Sequence, residues 1–281
     1  MLIHRLRSFT EFQQHACRMK AVYEQRKSYE KELQDTSKHS RKIISFSYPA
    51  GKQVNLEVSL RTSDLSINWR ESMTCPITGL NNRLRAAAHL CDSELGLLSR
   101  ERIYPSEQVT PCFKWMKQRY PNLIGSEYLG DHCPLGQTNE EGTRNEDLTK
   151  LTFPSNYFDA ALSFECLEHI PNFLDAFREL ARVLKPDGRI MWSVPFGPNF
   201  QKNLIRASRD ADGRIIHHEP PEYHGDPINS DGCLCFTHFG WEMLQQVKEA
   251  GFKDAYAVAY WSDVFGYLGV EQIIFVASKR Q

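Results

Sequence analysis

The sequence predicts an α/β protein: a doubly wound, mostly parallel sheet across residues 99–281, preceded by a small helical and hairpin cap across residues 1–98. Three observations predict it. The stretch FDAALSFE, residues 158–165, is apolar until its end, as expected of a strand buried on both faces. NFLDAFRELARVL then sets Phe173, Phe177, Leu180 and Leu184 on one helical stripe, and RIMWSVP resumes as a strand after LKPDG. Strand, helix and strand at these intervals are joined by right-handed crossovers into a parallel sheet.

The elements follow in order. Residues 8–35 are highly charged, with Phe9, Phe12, Ala16, Met19 and Tyr23 at helical spacing, so a helix with a narrow buried stripe is expected. Its nearly all-polar second half, YEQRKSYEKELQ, is expected to project into solvent or to touch a second copy of the chain, which makes this region the candidate homodimer contact. KIISFSYPAGKQVNLEVSL reads as a hairpin around Pro49-Ala50-Gly51. ERIYPSEQ is a short strand, Thr110-Pro111 opens a helix, and NLIGSEYL is the next strand. GWEMLQQVKEAGF is a helix closed by Gly251. DAYAVAY and EQIIFVA are two final strands across a ten-residue loop, expected to pair antiparallel.

Composition narrows the function classes. Of the 281 residues 41% are apolar and 25% charged, the balance of a folded domain rather than a disordered chain. A net charge of -1 provides no global field to recruit nucleic acid. No apolar run reaches the roughly 18 residues that span a bilayer, so no membrane partner is expected. The opening MLIHRLRSFTEFQQH lacks the apolar core of a signal peptide, and eight cysteines are too sparse for a disulfide scaffold. Reduced thiols in the cytoplasm are the expectation.

In an open parallel sheet, ligands sit beyond the carboxyl ends of the strands. NLIGSEYL ends near Glu127, with Tyr128 beside it, and a carboxylate there suits a ribose diol. The long run EDLTKLTFPSNYFDAALSFECLEHIPNFLDAFRELARVLKPDGRIMWSVPF, residues 146–196, resembles the class I S-adenosylmethionine-dependent methyltransferases. The resemblance implies a Rossmann-like, seven-stranded sheet whose last two strands are antiparallel, and S-adenosyl-L-methionine as cofactor. It implies that Asp147 meets the adenine amine and the Leu148 amide a ring nitrogen, while Phe164 and Glu165 border the methionine end. It also implies a left-handed turn at Gly188. The chain departs from the family at the glycine-rich turn after the first strand, which here reads RIYPSEQVTP without a glycine. Two readings follow. Either Glu107 and Gln108, with the N-terminus of the Thr110 helix, hold the cofactor's amino and carboxylate groups, or the domain is a silent scaffold or partner subunit.

Two further stretches carry chemistry. Cys75-Pro-Ile-Thr-Gly resembles half of a zinc knuckle whose second cysteine is Thr78, so a metal-free cap is expected; Asn82, Arg83 and Arg85 either face the cleft or form a helix surface. HHEPPEYHGDP, residues 217–227, lies in an insertion near residues 197–238, where the resembled fold builds its substrate pocket. His217, His218, Glu222 and His238 are expected to bind the acceptor. His169, Tyr223 and His224 are the candidates for the catalytic base. A divalent cation held by this loop alone is awkward, given its short spacing and prolines, so no metal is expected. The resulting expectation is methyl transfer to a small-molecule acceptor, at a hydroxyl or carboxylate oxygen.

Overall fold

The computed structural model describes residues 1–130 and 133–279. In chain order the elements are β1 (Leu2–Leu6), α1 (Phe9–Ser40), β2 (Lys42–Ser47), β3 (Lys52–Glu57), α2 (Asn82–Ser93), β4 (Ile103–Pro105), α3 (Pro111–Arg119), β5 (Phe158–Phe164), α4 (Phe173–Val183) and β6 (Leu184–Ser193). Six short strands follow: β7 (Leu204–Ile205), β8 (Ala207–Arg209), β9 (Ile215–His217), β10 (Tyr223–His224), β11 (Cys233–Leu234) and β12 (Thr237–His238). The chain closes with α5 (Glu242–Glu249), β13 (Phe252–Ser262) and β14 (Tyr267–Lys279). Among the described residues no helix is long and apolar enough to cross a membrane.

Two compact units result. The larger holds Arg7–Phe9, Leu98–Tyr256 and the chain from Phe275 onward. Its strands run in the order β13-β14-β6-β5-β4. β4 pairs parallel with β5 (Ile103 opposite Ala160), β5 parallel with β6, and β14 antiparallel with β6 (Phe275 opposite Trp192). Phe158, Ala160, Ala161 and Leu162 are buried as their apolar run requires. α4 packs Phe177 edge-on against Trp192, with centroids 5.2 Å apart, and Trp192 stacks on Phe275. Each such fully buried side chain contributes about 1.5–3 kcal/mol by leaving water.

The expected strand over NLIGSEYL is reduced to isolated parallel bridges, Ile103 to Leu123 and Glu127 to Asn145. A side chain takes over the ladder there. Asn145, fully buried, accepts from the Leu129 amide and donates to the carbonyls of Gly130 and Cys133. The regular seven-stranded sheet is thus approximated, with its outer edge frayed into loops. Gly188 does not make the expected left-handed turn: Asp187 does, at φ 58°. Gly188 serves close approach instead, since a Cβ there would lie 2.8 Å from the Lys185 carbonyl oxygen. The two final strands are longer than expected and are joined by four residues instead of ten, a connection that only antiparallel neighbours can use.

The smaller unit holds Met1–Leu6, Thr10–Leu97 and Ala257–Ile274, so part of the final hairpin groups with the N-terminal region. β1 pairs antiparallel with β13 and β2 with β3, the latter turned by Gly51 at φ 67°. The polar half of α1 does not simply project into solvent. Glu30 accepts from Trp261 Nε1 and from the amides of Gly269 and Val270, and Arg26 donates to the Val270 carbonyl. A buried stripe built of polar residues is invisible to hydrophobic periodicity. Cys75 sits in a tight turn closed by Gly79 N to its carbonyl (2.8 Å). Asn82, Arg83 and Arg85 stay within this unit: Arg85 holds the carbonyls of Met73, Phe265 and Gly266, Asn82 those of Trp69 and Leu268, and Arg83 the Glu71 carboxylate.

Candidate active site

The site forms where β4 and β5 end. Ser106 continues β4 by donating its amide to the Leu162 carbonyl, and its hydroxyl donates to Ser163 Oγ (2.8 Å). α3 begins one turn later. Thr110 caps it by accepting from the Phe113 amide, while the Thr110 hydroxyl donates to Glu107. The glycine absent from this turn has a counterpart across from it. A Cβ on Gly125 would fall 2.4 Å from the Glu107 carbonyl oxygen and 2.5 Å from the Phe113 ring, so the bare backbone of Gly125 admits the loop.

Glu127 braces the same loop. Its Oε1 accepts from the amides of Gln108 (2.6 Å) and Val109 (3.0 Å), leaving Oε2 as the oxygen suited to a diol. Burial pushes the Glu127 carboxyl above its ordinary range, against the pull of these two amides. The Gln108 side chain is bound elsewhere: it donates to the Gly142 carbonyl and accepts from the Arg144 amide. The Gln108 side chain and one Glu107 carboxylate oxygen are thus engaged by the protein itself. Asp147 Oδ1 is held by the amide and hydroxyl of Thr149, and its side chain remains a quarter exposed. Leu148 is buried and Tyr128 strongly exposed. Phe164 ends β5, and Glu165 follows at φ 52° with its amide donated to the Ser193 carbonyl. A left-handed non-glycine residue at a strand's carboxyl end is strain of the kind that concentrates at ligand sites.

The insertion folds as three short pairs: β7 with β12, β8 with β9, and β10 with β11. They divide the histidine-rich loop. His217 and His218 are exposed on and beside β9, His218 facing Ser208 Oγ at 2.8 Å, and Tyr223 is exposed on β10. None of these three joins the inner cluster. Glu222 and His224 turn inward with His238. Glu222 Oε1 lies 3.0 Å from His224 Nε2 and 3.2 Å from His238 Nε2, and Arg206 pairs with Oε2.

His224 Nδ1 faces Glu168 Oε1 at 3.6 Å, and His169 Nε2 faces the same oxygen at 3.7 Å. His169 Nδ1 lies 2.9 Å from the Leu234 carbonyl oxygen, so that nitrogen carries the hydrogen. The Glu168 carboxylate, with Glu222, draws His224 up to about 9. Burial pushes the thiols of Cys166, Cys233 and Cys235 up to about 12, which leaves them weak nucleophiles at neutral pH.

Sequence reasoning missed Glu168, which is completely buried at the centre of this cluster, and Arg206. The signal for Glu168 was its place directly before His169 at a strand's carboxyl end. Arg206 carried none, because its partner is sixteen residues away across a hairpin.

Residues 113–192 match the family model described as a methyltransferase domain. Among curated proteins no sequence matches the chain. Among solved structures, an S-adenosylmethionine-dependent methyltransferase from Mesorhizobium loti is similar at 17% identity, covering 70% of this chain and all of that one, with a TM-score of 0.40. The 1,6-didemethyltoxoflavin-N1-methyltransferase of Burkholderia thailandensis, solved with 1,6-didemethyltoxoflavin and S-adenosylhomocysteine bound, is similar at 18% identity, covering 70% of this chain and 78% of that one, with a TM-score of 0.39.

Proposed function

We propose that this chain, whose residues 113–192 match the model of a methyltransferase domain, is a class I S-adenosylmethionine-dependent methyltransferase that transfers the methyl group to a hydroxyl or carboxylate oxygen of a small-molecule acceptor. The observation that carries the reading is the polar cluster of Glu222, His224 and His238, which the insertion delivers beside the end of β5.

The residues suit the cofactor. Glu127 keeps one carboxylate oxygen for the ribose, and Asp147 keeps a partly exposed one for the adenine amine. Gly125 makes room for the loop that passes the methionine end. Bound S-adenosylmethionine would supply a methyl group already activated by its sulfonium. The protein's contribution is then alignment and exclusion of water. Glu222 and His238 offer an acceptor and a donor to a polar substrate, and the Leu234 carbonyl at the end of β11 lies 2.9 Å from His169 Nδ1, shortly after β5.

The opposing reading, a silent binding subunit, is favoured by the engagement of Gln108 and of Glu127 Oε1 within the loop. Incubation with methyl-labelled S-adenosylmethionine and a panel of hydroxylated and carboxylated metabolites separates the two. Label carried on the acceptor as a methyl ester, from which base releases it as methanol, or as a base-stable methyl ether is the expected result. Cofactor binding without transfer to any acceptor supports the silent subunit, and label on nitrogen overturns the oxygen assignment.

A further inference from the structure

We propose that Glu168, His169 and His224 bind a divalent cation of the zinc class, which pins the insertion to the end of β5. Three donor atoms converge: a Glu168 carboxylate oxygen, His169 Nε2 at 3.7 Å from it and His224 Nδ1 at 3.6 Å, all within 4.8 Å of one another. A tetrahedral ion held at about 2.0–2.1 Å from each donor sets donor–donor edges of roughly 3.3–3.4 Å. The two edges that meet at Glu168 Oε1 are a few tenths of an ångström longer than that. The two imidazoles meet edge to face, their centroids 5.0 Å apart, with His169 Nε2 and His224 Nδ1 both turned to the same Glu168 oxygen.

Glu168 supplies the independent reason. It is completely buried, and neither carboxylate oxygen accepts a hydrogen bond from any described residue. A buried carboxylate left this way is costly, and its ion-pair partners among the described residues are the two imidazoles themselves. A cation bound to three donors would resolve that cost.

The outer nitrogens are arranged as they are around metals. His169 donates Nδ1–H to the Leu234 carbonyl, and His224 turns Nε2 to the Glu222 carboxylate, which Arg206 and His238 hold in turn. Such partners fix the ring and direct the remaining lone pair inward. Two other clusters lack this character. At His4, His15 and Glu271, the carboxylate is answered by the Arg26 guanidinium and the Tyr23 hydroxyl. At Glu222, Cys235 and His238, Arg206 answers Glu222.

Glu168 and His169 come from the core and His224 from the insertion, so the ion would tie together two segments that also meet through the Phe236 amide on the Glu168 carbonyl. His169 and His224 keep 16% and 27% of their side-chain exposure, against none for Glu168, which leaves a fourth position open on the histidine side. On the reading proposed above, an acceptor oxygen would take it.

The test reads binding directly. Chelator-treated full-length protein is titrated with Zn2+ by calorimetry, and its metal content is measured after dialysis. One Zn2+ per chain is expected, with affinity lowered more than about 100-fold by His169→Ala, His224→Ala or Glu168→Gln, and about 10–100-fold by Glu222→Ala. His4→Ala should leave it unchanged. Circular dichroism identifies any variant that fails to fold, and Glu168→Gln, which keeps the buried shape, then carries the test. X-ray absorption should show two imidazole nitrogens and a carboxylate oxygen. Absence of one-to-one binding to the folded wild type, or full affinity in Glu168→Gln and His224→Ala, overturns the site. Because no readout is activity, its failure leaves the methyl-transfer reading standing.

Discussion

The Glu127 carboxylate lies 2.6 Å from the Gln108 backbone nitrogen, so the acid proposed to bind a ribose also fixes the turn after β4.

Glu127→Ala should therefore act twice. Losing a charged hydrogen-bond partner should weaken S-adenosylmethionine binding by about 1.5–3 kcal/mol. Hydrogen exchange at the Gln108 and Val109 amides should accelerate in the same variant. Normal affinity together with normal exchange would place the ribose elsewhere. The sign of the pH effect follows from burial, which raises this carboxyl in the folded state. The folded protein then binds the proton more tightly than the unfolded chain, so this contribution is full below the ordinary carboxylate range and is lost as pH rises through the raised value. Stability difference curves of wild type against Glu127→Gln across that window test it.

Gly125→Ala puts a methyl group 2.4 Å from the Glu107 carbonyl oxygen and 2.5 Å from Phe113. Both neighbours are fixed, one as backbone and one by the α3 cap. Overpacking should cost about 1–3 kcal/mol in thermal or urea unfolding. Cofactor affinity should fall with it, since the displaced loop borders the site. An unchanged melting temperature would show that the loop yields freely.

Arg85 is fully buried and holds three carbonyls, and burial draws its guanidinium down to about 10. Arg85→Ala should destabilise the protein by about 3–5 kcal/mol, because those carbonyls lose their donors inside the core. Arg85→Lys should recover little, since one ammonium cannot reproduce the planar fork. Urea midpoints of the two variants decide this, and a lysine variant as stable as wild type would contradict it.

Asp254 titrates below its ordinary value because the Arg7 guanidinium binds it, Nη2 to Oδ2 at 2.8 Å. A depressed folded value means that this contribution is present at neutral pH and lost as pH falls below the ordinary carboxylate range. Both side chains are more than a third exposed, so solvent screening limits the pair to at most about 1 kcal/mol. Arg7→Ala should show that small deficit at pH 7 and none near pH 2 in chemical unfolding. A deficit that persists at pH 2 would reassign it to packing on Tyr256, over which the guanidinium also sits.

Much of the architecture was legible because it is local. The apolar run at residues 158–164, the helical stripe of Phe173, Phe177 and Leu180, and the Thr110-Pro111 start each write their state into neighbouring residues. The strand after Asn122 was not legible, because a buried Asn145 side chain replaces the ladder from fifteen and sixteen residues away. The buried face of α1 was hidden for a similar reason: Arg26 and Glu30 look like solvent residues until β13 and β14 supply their partners.

The sequence by itself determined the layered α/β plan and its strand ends, because periodicity and capping are properties of adjacent residues. Only the tertiary structure decided which polar residues meet. It left His217, His218 and Tyr223 in solvent, drew Glu222, His224 and His238 together, and buried Glu168 between two imidazoles. The physical reason is distance along the chain: a charge cluster forms from segments more than fifty residues apart, and no local pattern encodes which of many similar side chains the fold will desolvate.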